Sequence, residues 1–414
     1  MATDTRSAMF LGDDLGHLSY STLVHPGDDW DQMSASLATY LPLVKRRVCP
    51  DAPFGVSLRV SGESAARLAA SPASRAELRE FLAAEDLYVY TVNAFPQGSF
   101  KGGPVMERVY QPDWTTESRV EYTTRVADIL ADISGPDVEP SIQTMPLAFR
   151  PDVADESYVD LFTHNVLRVV AHLVDVERRT GRRVKLAVEP EPFCYLATIE
   201  QATTYFRTRL YSRQGAADLA RLAGVPLAEA YGALRRYLGV VLDVGHQSVE
   251  FDDIPASLDL LAEHGVPIFK LQAAAALWVP EVTEESVREL ERFTRTIYLS
   301  QTSERRDGKV TAFLNLRDAI GAWRAAPGGR REWRTHFHVP VFLDDLGPLR
   351  TTRFAVEQAL DAHLAQAQST QLEIETYTWD VLPAHLKGDD ITDHVVGELE
   401  WVLGRLGVLS PAAG

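Results

Sequence analysis

The stretch "LGVVLDVGH", residues 238–246, decides how the chain is read. Its apolar, β-branched body has the make-up of a strand, and it closes on an acid, Asp243, with His246 three residues on. Charge placed at the end of an apolar strand needs a reason, and a functional site supplies one. Similar runs recur along the chain. They are "GHLSYSTLV" (16–24), "FGVSLRV" (54–60), "LYVYTVNAF" (87–95), "PSIQTMPLAF" (140–149), "VKLAVEP" (184–190), "PIFKLQAA" (267–274), "THFHVPVF" (335–342) and "TQLEIETYTW" (370–379). Between them lie segments with apolar residues at 3–4 spacing, such as "SRVEYTTRVADILADI", "ESVRELERFTRTIYL" and the closing "HVVGELEWVLGRLG", the period of amphipathic helices.

Strands alternating with helices predict βαβ units and a parallel sheet, and eight such units close into a (β/α)8 TIM barrel. With nine strand candidates one is extra, and "THFHVPVF" is the one expected to belong to the loop region after the seventh strand. Two long excursions are expected, an ordered loop over 96–118 and a mostly helical insertion over 203–237. The expectation is one domain across 1–414, with the active-site loops on the C-terminal face of the barrel.

Composition narrows the function classes. The chain has 414 residues and 45% hydrophobic content, ample for a large core. Its 41 basic and 58 acidic residues give a net charge of −17, which disfavours a nucleic-acid groove and an anionic membrane surface. Two cysteines, Cys49 and Cys194, exclude a disulfide framework and point to a reducing compartment. The N-terminal sequence lacks the basic and apolar regions of a signal peptide, and no run approaches the length of a membrane span. A cytoplasmic protein with no membrane insertion is expected. Gly-x-Gly-x-x-Gly, P-loop and Gly-x-Ser-x-Gly patterns are missing from the sequence, which disfavours nucleotide-binding folds and serine hydrolases.

The polar strand ends carry the chemistry. Glu189 and Glu191 close one strand, Asp243 and His246 the next, and Lys270 and Gln272 the one after. His336 and His338 share "THFHVPVF", and Glu373 and Glu375 share "LEIET". Alternate residues of a strand share a face, so these sets point to the barrel axis while Val188, Leu242, Leu271, Phe337 and Ile374 point to the helices. Each pair alone has an ordinary explanation, such as a solvated strand end or a core histidine bonded to a carbonyl. Repeated on successive strands, they place several acids on one axis, where they repel unless a cation is shared. Carboxylate, imidazole and amide ligands together suit Mn, Mg, Fe, Co or Zn. His25 at the end of the first strand, Asn93 on the third and Trp379 after the last are further candidates for substrate contact, an aromatic wall being suited to a sugar or cyclitol ring.

In order, "HLSYSTLVHPG", "VYQPDW", "VEPEP", "LDVGH", "FKLQ", "HFHVPVF" and "ETYTWDVLP" resemble the EboE family, described as metabolite traffic proteins and similar to xylose-isomerase-like TIM barrels. The likeness spans nearly the whole chain. It implies handling of a sugar- or cyclitol-like metabolite, since the family is associated with gene clusters encoding a prenyltransferase-like membrane protein and a sugar-phosphate-cyclase-like enzyme. The wider superfamily implies a divalent metal held by Glu, Asp, His and Glu from late strands. Carried over by motif, these are Glu189, Asp243 and Glu375, with His246 contacting substrate hydroxyls. Gln272 stands where the superfamily has its metal-binding histidine, so His336 or His338 is expected to replace that imidazole.

The expected activity is isomerisation or epimerisation of a small polyhydroxylated aldehyde or ketone through an enediolate. Glu189 and Glu375 would move the proton, His246 would orient a hydroxyl and Lys270 would stabilise the oxyanion. His25, Asn93, Glu191, His336 and Trp379 would bind substrate, and Glu189, Asp243, Gln272, His338 and Glu375 would hold the metal. Two rivals stand beside it, a carrier that binds without turnover and a metal-dependent phosphoester hydrolase. A homo-oligomer is compatible with all three.

Overall fold

The computed structural model describes residues 9–408 apart from 13–14, 136, 295 and 388–389. Residues 1–8 of the N-terminal segment read for a signal peptide lie outside the described residues.

Eight parallel strands form the central sheet. They are β1 (His17–Tyr20), β2 (Phe54–Arg59), β3 (Leu87–Asn93), β4 (Ser141–Thr144), β5 (Lys185–Val188), β6 (Leu238–Asp243), β7 (Ile268–Ala273) and, last in the chain, β14 (Gln371–Ile374). Their order is β1-β14-β7-β6-β5-β4-β3-β2. A parallel bridge between Ser21 and Ser57 joins the two end strands, so the sheet closes on itself. Thr22 fastens the seam, its hydroxyl donating to the Ser57 carbonyl and accepting from the Arg59 amide. This is the expected (β/α)8 barrel. Val56, Leu58, Val89, Ile142, Leu186, Val240, Leu242 and Leu372 are buried in the core.

The helical insertion comprises Ile199–Tyr205, Arg213–Ala223 and Leu227–Tyr237, joined by a π-helical turn at Phe206–Leu210. The 96–118 excursion is mostly irregular, with a short 3-10 turn at Met106–Tyr110. The carboxylate of Asp28 pins it, accepting the backbone amides of Phe100, Lys101 and Gly102 and the Ser99 hydroxyl.

The larger departure from expectation lies between β7 and β14. Residues 275–351 build a second, antiparallel sheet from β8 (Ala275–Val279), β9 (Thr302–Arg306), β10 (Lys309–Phe313), β11 (Glu332–Val339), β12 (Asp345–Leu346) and β13 (Leu349–Thr351), in the order β10-β9-β11-β8-β13-β12. The run "THFHVPVF" is thus the extra strand, and it does not stand alone. The helix expected over 285–299 is only Glu284–Leu290 with a 3-10 turn, because the chain must turn back to enter β9.

Candidate metal and active site at the barrel mouth

The inward side chains form two buried polar layers. In the lower one, the Lys270 ammonium lies 2.6 Å from Gln143 Oε1 and 3.0 Å from Glu373 Oε2. Gln272 Nε2 donates to Glu373 Oε1 at 2.7 Å and to Gln143 Oε1 at 3.2 Å, and the Ser57 hydroxyl donates to Glu373. Lys270 and Glu373 are fully buried. One cation faces one anion there, and the amides and hydroxyl occupy the remaining lone pairs.

Above it, at the C-terminal ends of the strands, lie Glu189, Glu191, Asp243, His246, His336, His338 and Glu375, all buried. Asp243 ends β6 and caps the short helix Val244–Val249, with one carboxylate oxygen accepting the His246 amide at 2.8 Å. A Cβ on Gly245 would lie 3.1 Å from that oxygen, so glycine there lets His246 fold back over the mouth. The second oxygen of Asp243 is buried without a partner, as is Gln272 Oε1. Gln272's amide nitrogen is fixed by two acceptors, which leaves that oxygen free for another partner. His336 and His338 reach the mouth from the inserted sheet. The β11–β8 register is broken between Thr335 and His338, and such a bulge re-aims side chains. Phe337 packs edge-on against Phe293 instead, with ring centroids 5.2 Å apart.

Three groups of ligand atoms lie within 4.8 Å of one another: Glu189, Asp243 and His246; Asp243, His338 and Glu375; and His246, His336 and His338. Burial, then repulsion from Asp243 and Glu191, raises Glu189's proton affinity well above the usual carboxylate range. Burial, then Glu189, Glu373 and Asp243, does the same for Glu375. Burial pushes Glu191 up to about 8 and His246 down to about 4. His336 is held well below the usual imidazole range by burial and its two histidine neighbours. The raised carboxyls are those of a site short of positive charge, and burial keeps His246 and His336 neutral beside them. A divalent cation fits it: the two unpartnered oxygens are the kind of donor such an ion requires, and the mixed O and N set is suited to it.

The cavity in front of this cluster is narrow, about 50 Å³, or about 340 Å³ when all the empty space out to open solvent is counted. Glu189, Glu191, His246, His336, Glu375 and Asn93 line it. Asn93 donates to Glu375 Oε1 at 3.0 Å. Three expected contacts lie elsewhere. Lys270 sits in the lower layer and reaches Glu189 only through Gln143, whose amide donates to Glu189 Oε2 at 2.5 Å. His25 turns into the β1–helix interface, bonded to the Tyr20 hydroxyl at 2.9 Å and stacked on Tyr40. Trp379 lies beyond the last strand beneath the Lys387 ammonium, 5.0 Å from its ring centroid.

Sequence reasoning missed Gln143, which links the two layers. It also missed Tyr110 and Gln301, which bind Glu191, and the aromatic cap of Phe100, Tyr298 and Tyr377. The alternation of Ser141 and Gln143 on β4 was a usable signal, since both fall on the inward face.

No protein-family model matches the chain, and no curated protein matches it in sequence. Solved structures do resemble it in fold. One is the IolI protein with a bound zinc atom, at 12% identity and TM-score 0.45 over 95% of this chain and 99% of that one. Another is a xylose isomerase-like TIM barrel protein from Mycobacterium smegmatis in complex with magnesium, at 13% identity and TM-score 0.48 over 94% of this chain and 100% of that one. A third is L-ribulose 3-epimerase, at 11% identity and TM-score 0.46 over 94% of each chain. Similarity at this level transfers no activity; the barrel rests on the strand order itself.

Proposed function

We propose that the chain is a metal-dependent isomerase or epimerase of a small polyhydroxylated aldehyde or ketone, sugar- or cyclitol-like, working by proton transfer through an enediolate. The observation that carries this reading is the pair Glu189 and Glu375. Both are buried acids of raised proton affinity lining one small cavity, as an acid and base acting on a single carbon skeleton should be. Four of the motifs that resemble the EboE family, "VEPEP", "LDVGH", "HFHVPVF" and "ETYTWDVLP", supply the acids and imidazoles of this mouth. Barrel and inserted sheet are read as one functional domain, because the site takes its residues from both.

The oxygen donors of Glu189, Asp243, Glu375 and Gln272 would hold the divalent cation. When bound, it supplies Lewis-acid polarisation of a carbonyl and lowers the cost of developing negative charge. Gln143 holds Glu189 Oε2 and Asn93 holds Glu375 Oε1, so each carboxyl is fixed in orientation at the cavity. One acid takes the proton from the carbon beside the carbonyl, and the other returns one to the neighbouring position or the opposite face. His246, lining the cavity, orients a hydroxyl. Lys270 is a positioning residue in this scheme, acting on Glu189 through Gln143. The aromatic cap excludes water from the enediolate.

The test is solvent-deuterium wash-in. Metal-loaded protein is incubated in D₂O with a panel of ketopentoses, ketohexoses and keto-inositols, and products are read by NMR. Exchange at the carbon next to the carbonyl, lost at least a hundredfold in Glu375→Gln, supports the reading. Tight binding of a panel member without exchange would instead favour the carrier.

A further inference from the structure

Three imidazoles meet at the mouth through the same ring atom. His246 Nε2 is 3.0 Å from His336 Nε2, which is 3.2 Å from His338 Nε2. The opposite ring nitrogens decide where the hydrogens are. His246 Nδ1 faces the Pro190 carbonyl at 3.2 Å and Glu189 Oε1 at 3.6 Å. His336 Nδ1 faces Gln301 Oε1 at 2.9 Å and Glu191 Oε1 at 3.6 Å. His338 Nδ1 faces the Glu375 carbonyl at 2.6 Å. Gln301 is fixed in this orientation, because its amide nitrogen donates to the Tyr110 hydroxyl at 2.8 Å and faces Glu191 Oε1 and the Pro192 carbonyl, each at 3.3 Å. All of these partners are acceptors, so each Nδ1 carries the hydrogen. Each Nε2 is therefore a bare lone pair, and the three lone pairs converge in a buried site. The Tyr377 hydroxyl, 3.3 Å from His336 Nε2, can serve one of them and leaves two opposed.

We propose that His246, His336 and His338 form a nitrogen-only site for one divalent transition metal, distinct from the oxygen donors of Glu189, Asp243, Glu375 and Gln272. Metal–imidazole bonds of about 2.0–2.1 Å put neighbouring ligand nitrogens roughly 3.0–3.4 Å apart, and the observed separations of 3.0 and 3.2 Å fall in that range. Each Nδ1–H is anchored by an oxygen, the outer arrangement that fixes metal-bound histidines. An imidazole Nε2 has one lone pair and cannot serve two ions. Its position opposite His336 puts His338 in the nitrogen set. That set selects Zn, Co, Fe, Ni or Cu over Mg or Ca, whereas the oxygen set suits Mg or Mn. Two of the three ligands come from β11, so the site exists only because the inserted sheet docks on the barrel.

This inference leaves the two acids of the isomerase reading in place but gives His246 Nε2 to the metal instead of to a substrate hydroxyl, and its test involves no turnover. Full-length protein stripped with a chelator is loaded with one equivalent of Zn²⁺ and examined by X-ray absorption spectroscopy. Three imidazole nitrogens around the zinc are expected, and two or fewer would overturn the site. In parallel, His336→Phe removes a ligand outright and is expected to lose at least the roughly hundredfold in Zn²⁺ affinity that marks the upper end for loss of an outer partner, while its Mn²⁺ affinity stays within about threefold of the parent. A folded His336→Phe protein that binds Zn²⁺ as tightly as the parent would overturn it equally. The parent spectrum decides the matter if the variant does not fold.

Discussion

The two polar layers inside the barrel are equally dry and differ in one respect. The lower has its own cation, Lys270, against Glu373. The mouth gathers Glu189, Glu191, Asp243 and Glu375 with three histidines, and among the described residues no lysine or arginine forms an ion pair with those four acids. Burial alone therefore does not mark a functional site. A buried ionic group whose partners are all supplied by the fold is structural. One whose charge balance is left open, with an unpartnered oxygen at Asp243, is built for something that arrives from outside.

The contrast can be broken by mutation. Lys270→Met leaves Glu373 buried and unpaired, and should cost about 3–5 kcal/mol in denaturant unfolding. Adding Glu373→Leu should recover most of that loss, because the lower layer then carries no charge. If Lys270→Met costs less than about 1 kcal/mol, the layer is not the closed ion pair described.

The mouth should respond to its missing charge. Chelation should lower stability by about 2.7 kcal/mol relative to protein held at a hundredfold excess of metal over Kd, read as a fall in Tm. Metal-free protein should also lose stability gradually with pH. Glu191 is raised by burial from 4.5 to about 8, so the fold favours its protonated form. Its contribution is full below about 4.5 and is lost as pH rises through about 8. Glu191→Gln should flatten that slope. The smallest effect has the opposite sign to that of Lys270→Met. In metal-free protein Asp243→Asn should be neutral or stabilising by about 1 kcal/mol, since it removes a repulsive charge, while weakening metal binding more than tenfold. A clear destabilisation of the metal-free protein by Asp243→Asn would erase the distinction between the layers.

The barrel was legible because each of its strands is a short apolar run set between helical patterns, and because Asp243, Glu189 and Glu375 close three of them. The inserted sheet was less so. Strand β9, "TSERR", is polar although its first three residues are buried, and β10, "KVTAF", is largely exposed, so no apolar core-facing run announces them. The signal that was present is Asp307-Gly308 between them, both at positive φ of 51° and 77°, the paired left-handed geometry of a two-residue hairpin. His336 and His338 were legible as a pair directed to one place. Their meeting with His246 was not, because it depends on how β11 docks across the mouth. Lys270 reads from sequence like any other strand-end polar group, and only its contacts with Gln143 and Glu373 assign it to the lower layer. His25 was drawn away by Tyr20 and Tyr40, an aromatic pocket that the sequence does not bring together.

The most direct test of the account is a thermal melt of chelator-stripped protein, with and without added Mn²⁺ or Zn²⁺, alongside the metal retained after desalting. The account predicts a rise in Tm of several degrees in the parent, at least one equivalent of metal retained, and loss of both responses in the Asp243→Asn, Glu375→Gln double variant with Mn²⁺. An unchanged Tm with no metal retained, in protein that is folded and monodisperse, would contradict it.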